Sequence, residues 1–223
     1  PPLLTEMSLN YSIGGTILFG AYVGFIIATL FTGFLADTIG NKAVLLLAGA
    51  LLIFGILGYS SFTTVIGLIA AMTVIGMGLG SIELGANSVI VDIHPLDKGR
   101  YLNLMAVFHG FGSMLAPLFA GWLLISGSSW RSVYRWDLAL VGLMILFFLL
   151  LPYPHIPKSN TEKFDLSHLG KAAFARPMGW FYFAIAVYVA IELGLASWLV
   201  TYLQDIRQIS VGVSAIYLSV FFG

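Results

Sequence analysis

The 223 residues are 59% hydrophobic and 9% charged, with a mean hydropathy of +0.98. A soluble domain carries about 25% charged residues, so this chain cannot clothe a water-facing surface and its solvent is lipid. A formal net charge of +0 gives no electrostatic reason for a nucleic-acid partner, and the lack of cysteine excludes disulfides, thiol nucleophiles and cysteine-ligated metals.

A membrane-spanning helix needs about 20 predominantly apolar residues. Residues 1–4, Pro-Pro-Leu-Leu, read as the tail of one helix. Six full spans follow over 14–36, 43–61, 64–91, 101–125, 136–152 and 178–203, and a seventh starts near 212. Strands in lipid would alternate polar and apolar residues, so the fold class is all-α transmembrane. Both ends of the chain fall in or beside apolar runs, and a piece of a longer membrane protein is expected. Leu9-Asn10 with Ile17-Leu18 recurs as Ile209-Ser210 with Tyr217-Leu218, 200 residues later, a faint repeat of the kind transporters contain.

Lys42, Lys98, Arg100, Lys158, Lys163, Lys171 and Arg176 collect on one side, against Arg131, Arg135 and Arg207 on the other. Seven against three places the first set in the cytoplasm. The hydrophilic stretch from Pro152 to Pro177 then divides the chain into a bundle over 1–152, a cytoplasmic linker over 153–177 and the start of a second bundle over 178–223. A short surface helix is expected around Leu166 to Phe174.

The polar residues inside the spans carry the chemistry. An ionised carboxylate at mid-helix costs on the order of 3 kcal/mol, so intramembrane acids mark function. Glu83 lies in GSIELGANSVIVD with Asn87 one turn on, on the same face. Gly76, Gly80 and Gly85 thin the same helix for close packing. Desolvation favours the protonated form of a buried glutamate, which suits Glu83 to proton coupling. Asn103 and His109 lie in the next span, His109 able to bond a solute hydroxyl and Asn103 placed to tie helices together; Pro117 is expected to kink that span. Glu192 is a second acid, with Tyr188 one turn before it and Trp198 after, aromatic rings that can stack on a sugar.

In GFLADTIGNK, Gly33 and Gly40 permit tight turns and close contact. Asp37 can meet a helix N-terminus, and Lys42 a helix C-terminus. Asp92, His94 and Asp97 of the DIHPLDKGR loop have no metal-ligand spacing and read as solvated. No metal or cofactor is implied, and Gly-x-Ser-x-Gly, His-Glu-x-x-His and paired catalytic acids are all absent, so no enzyme is expected.

GFLADTIGNK resembles the signature loop between helices 2 and 3 of the major facilitator superfamily, although Thr38 and Asn41 stand where basic residues are common. The six spans would then be helices 2 to 7, within two helical bundles related by pseudo-symmetry. GLGSIELGANSVIVD, LNLMAVFHGFGSMLAP and YVAIELGLASWLVTYL are similar to helices 4, 5 and 7 of the fucose permease-like sugar–proton symporter family. His109 stands where that family has an asparagine.

The resemblance implies proton-coupled symport of a small hydrophilic solute, a sugar, by alternating access. Glu83 would couple the proton; Asn87, His109, Glu192, Tyr188 and Trp198 would contact solute; Gly33, Asp37, Gly40 and Lys42 would form a gating loop. The expected partners are the solute, protons and the bilayer of a plasma (inner) membrane, with the protein a monomer. A proton-coupled exporter of amphipathic compounds and a non-transporting receptor are the alternatives.

Overall fold

The computed structural model describes residues 2–153 and 176–223. Their element order is α1 (Pro2–Glu6), α2 (Tyr11–Ile39), α3 (Asn41–Ser61), α4 (Val65–Ile93), α5 (Lys98–Ile125), α6 (Trp130–Leu150), α7 (Arg176–Thr201) and α8 (Val211–Phe222). A π-helical turn, Tyr202–Ile206, continues α7. Among the described residues there is no strand, and six helices are long and apolar enough to cross a membrane. At about 1.5 Å per residue, the 29 residues of α2 reach about 43 Å, more than the hydrocarbon thickness of about 30 Å.

Short polar side chains start the helices. Asn10, Thr64 and Ser129 sit in extended backbone and accept from the amides of Ile13, Gly67 and Ser132, satisfying donors that the first turn leaves free. The cap at Ser129 starts α6 six residues before the expected 136, so Arg131 and Arg135 are helical. The other boundaries fall within a few residues of expectation, and α5 runs on through Pro117. Most of the proposed 153–177 linker, with its expected surface helix, lies outside the described residues.

The 200-residue repeat has a backbone counterpart. Asn10 and Ser210 are the residues before α2 and α8, and two positions earlier Ser8 and Gln208 hold φ of 53° and 55°. Non-glycine residues seldom adopt that left-handed conformation, so the same turn is built twice.

α4 lies between α2 and α3, α3 also packs on α6, and α5 packs chiefly on α8. Glycine decides the closeness of α2 and α4. A Cβ at Gly24 would collide with the Thr73 carbonyl, and one at Gly76 with the Ala21 carbonyl. Small-residue contact of this kind associates helices in lipid, where apolar burial supplies no drive. Thr32 and Ser81 add a hydroxyl–hydroxyl bond of 3.1 Å across the same pair. Ile17, Tyr59, Leu68, Ala71, Met72 and Trp130 form the core near the Asn10 end. Phe19, Leu30, Phe54 and Ile66 stand outward, as lipid solvation permits.

Candidate functional site

The turn between α2 and α3 is set by Gly40, whose φ of +87° suits a residue without Cβ. It brings the next two side chains onto different helices. Asn41 donates from Nδ2 to Asp92 Oδ2 at 2.8 Å. Lys42 Nζ donates to the carbonyls of Leu149 at 2.9 Å and Leu151 at 3.3 Å, and lies 5.4 Å from the centre of the Tyr153 ring. Burial pushes the Tyr153 phenol up. The expected meeting of Lys42 with a helix C-terminus is therefore made, at the end of α6. Asp37 is exposed, and Thr38 bonds back to the carbonyls of Phe34 and Leu35.

Two expectations at this end are corrected. Asp92 is exposed, as expected, but lies in the last turn of α4 rather than in the loop and accepts from Asn41. His94 follows as the C-cap of α4 and stacks on Tyr101 with centroids 3.6 Å apart, while Asp97 precedes α5. Gly33 makes no close contact, because a Cβ there would meet nothing within 4 Å.

On α4, Glu83 is exposed and Asn87 half-buried, one turn apart along one face. His109 and Asn103 on α5 are exposed. On α7, Tyr188 and Glu192 lie one turn apart along one face. Trp198 packs edge-on against Tyr11, their ring centroids 6.0 Å apart, and Ser197 shares a 3.2 Å hydrogen bond with Tyr22. The α4 pair and the α7 pair stay on separate helices, with no hydrogen bond between them among the described residues.

A cavity of about 640 Å³ lies elsewhere, between α5 and α6 beneath Pro2. Gly112, Ala116, Phe119, Trp130 and Tyr134 line it, and none of the sequence-selected polar residues does. Asp137 is the charged residue on its wall. Sequence reasoning passed over Asp137, although an acid followed by LALVGLMILFFLL was a legible signal.

It also passed over Glu6, which accepts from Trp130 Nε1 at 2.6 Å and pairs with Arg131 Nε at 3.2 Å. Arg131 donates in addition to the carbonyls of Ser60 and Phe62 and lies 4.4 Å from the Trp130 ring. No pattern within one helix reveals a contact spanning 125 residues.

These polar side chains offer hydrogen-bond donors and acceptors, and a carboxylate among them can take up a proton.

Comparison with known proteins follows the same outline. The sequence model of the family described as "Major Facilitator Superfamily" matches residues 1–223. The L-fucose-proton symporter of Escherichia coli is 25% identical over 260 residues, covering 98% of this chain and 58% of that protein. The MFS-type efflux transporter phmH of Phaeosphaeria nodorum is 33% identical over 126 residues, covering 54% of this chain and 20% of that one. Among solved structures, a D-xylose-proton symporter aligns with a TM-score of 0.66 at 16% identity, over 97% of this chain and 58% of that chain. The chain thus spans under two thirds of the length of each of these relatives.

Proposed function

The chain belongs to the Major Facilitator Superfamily, and on that premise we propose that it forms the first bundle and part of the second in a proton-coupled symporter of a small hydrophilic solute, a sugar. The observation that carries this reading is the similarity to the L-fucose-proton symporter along 98% of the chain, with Glu83 inside the stretch concerned. The end of the molecule bearing Lys42 and Asp92 faces the cytoplasm, in keeping with the seven basic residues assigned to that side.

Glu83 carries the proton. Neutralised, its side chain lets the loaded protein reorient at low electrostatic cost; ionised, it is stable only where water or a cation reaches it. Asn87, His109 and the Tyr188–Glu192 pair supply donors and acceptors for sugar hydroxyls. The motion is a rocking of two bundles about the bound solute. The turn holding Gly40, Asn41 and Lys42 keeps α2, α3, α4 and α6 together during it.

The test is uptake of labelled monosaccharides by the full chain in proteoliposomes, with and without an inward proton gradient. Gradient-driven accumulation of one sugar is the expected result. No sugar uptake at any pH would overturn the substrate class. A second reading, export of amphipathic compounds against protons, is favoured by the 33% identity to an efflux transporter. It requires dye extrusion driven by the same gradient. Ligand binding without flux would instead point to a receptor.

A further inference from the structure

We propose that Ser113 on α5 is a hydroxyl-binding point of the solute site, where its side chain and its own backbone carbonyl, freed by Pro117, together hold one hydroxyl of the solute. The proposal rests on the transport reading and deepens it by adding a residue that selects among solutes.

The faces of α5 can be told apart by what packs on them. At about 100° per residue, Met114, Gly121 and Ile125 form one stripe. That stripe meets α8. Ser219 Oγ donates to the Met114 carbonyl at 2.7 Å, a Cβ at Gly121 would lie 2.6 Å from that of Ala215, and one at Gly212 would lie 2.7 Å from Ile125. Gly112, Ala116 and Phe119 form a second stripe, turned to α6 and the cavity. Two faces lie between these flanks. One carries Phe111, Leu118 and Trp122, large apolar side chains exposed as lipid contacts are. The other carries His109, Ser113 and Pro117, each one turn from the next.

Ser113 brings two unpaired groups to that face. Proline has no amide hydrogen, so Pro117 gives the Ser113 carbonyl no intrahelical donor, and its ring crowds the same carbonyl. Ser219 takes the neighbouring carbonyl of Met114 and not this one. The Ser113 hydroxyl is free as well, with no hydrogen bond among the described residues. Thr16, Thr73 and Ser214 show the usual alternative, each bonding back to the carbonyl four residues earlier. An unpaired backbone carbonyl is not tolerated against hydrocarbon; at membrane depth it persists where it lines a water-filled space. Ser113 lies near the middle of the 28-residue α5. Gly110 and Gly112 leave room beside it, since a Cβ at either would meet nothing within 4 Å.

A hydroxyl fits this pair better than other groups. It can donate to the carbonyl and accept from the Ser113 hydroxyl at once, which an ether, a ketone or a methyl group cannot. His109, one turn nearer the start of α5, is placed for a second hydroxyl of the same solute. A site built on such a pair rejects the analogue that lacks the hydroxyl, because its polar groups are then left unpaired.

Binding to the full chain in nanodiscs tests this, with a panel of aldohexoses, 6-deoxyhexoses and their monodeoxy analogues followed by tryptophan fluorescence. Ser113→Ala removes the hydroxyl, and Pro117→Ala returns an amide that closes the carbonyl. Each should weaken the best-bound sugar about tenfold, the scale of one hydrogen bond, and leave one monodeoxy analogue bound as tightly as by the parent. Pro117→Ala should not lower the unfolding temperature, which separates a lost contact from a lost fold. Equal affinity of all three proteins for every sugar would overturn the proposal. So would a sodium requirement abolished by Ser113→Ala, which would assign the pair to a cation. The chain has no cysteine, so Ser113→Cys and Leu118→Cys supply a test without solute. A water-soluble methanethiosulfonate should label the first at least about tenfold faster, since a thiol against lipid stays protonated. Similar rates would overturn the subsite. Faster labelling of Ser113→Cys in a protein that binds no monosaccharide would sustain the polar subsite and remove the sugar reading instead.

Discussion

Asn41 and Asp92 are joined by a 2.8 Å hydrogen bond that ties the start of α3 to the last turn of α4. Asn41 brings a liability as well, since its Oδ1 is buried with no hydrogen-bond partner among the described residues. The two truncations should therefore differ. Asn41→Ala removes the bond and the unsatisfied oxygen together and should cost under about 1 kcal/mol. Asp92→Ala strands the amide and should cost about 1–2 kcal/mol. Thermal unfolding in detergent measures both, and equal losses would contradict the argument.

Introducing charge at the same place has a sign of its own. Asn41→Arg replaces an amide–carboxylate bond by an exposed ion pair, which salt screens within a Debye length of about 10 Å at 0.1 M. Its Tm should fall with added salt by more than that of the parent.

Glycine substitutions should divide by position. Gly76→Ala drives a Cβ into the Ala21 carbonyl and forces α2 from α4. Overpacking of that kind costs typically about 1–3 kcal/mol. Gly33→Ala meets open space on a helix and should stabilise by up to about 1 kcal/mol. A Gly33→Ala protein that folds well yet transports slowly would place the role of Gly33 in gating rather than packing. Yields and unfolding temperatures of the two variants, beside uptake rates, decide this.

Arg131 gathers α1, α3 and α6 at the Asn10 end through Glu6, Ser60, Phe62 and Trp130. Arg131→Ala should cost about 2 kcal/mol, mainly through the carbonyls of Ser60 and Phe62 and the Trp130 ring, because Glu6 is half exposed and its ion pair is weak. Arg131→Lys should recover less than half, since an ammonium lacks the planar fork that reaches several acceptors at once. Full recovery by lysine would show that charge alone matters.

The helices were legible because lipid demands long apolar runs, and the register of Glu83 with Asn87 or Tyr188 with Glu192 follows from 3.6 residues per turn. Lys42 at a helix C-terminus was foreseeable from the macrodipole, although the identity of that helix was not. Arg131 and Arg135 hid the start of α6 by lowering its hydropathy, while Ser129 marked it. Asp92 is solvated as read, but its place in the last turn of α4 and its bond to Asn41 were hidden because that partner lies 51 residues away. The hydrogen-bonded pair of Tyr11 and Asp205 is separated by 194 residues. Only the folded chain brings it together.

The central claim is that Glu83 carries the coupled proton, and Glu83→Gln in proteoliposomes tests it most directly. Glutamine keeps the size and hydrogen-bonding reach of the protonated acid and cannot release a proton. Sugar exchange between equal concentrations should persist within a few-fold, while accumulation driven by an inward proton gradient should fall at least about tenfold, a loss of about 1.4 kcal/mol or more of coupling. Accumulation by Glu83→Gln at the parent level, with the same pH dependence, would contradict the account.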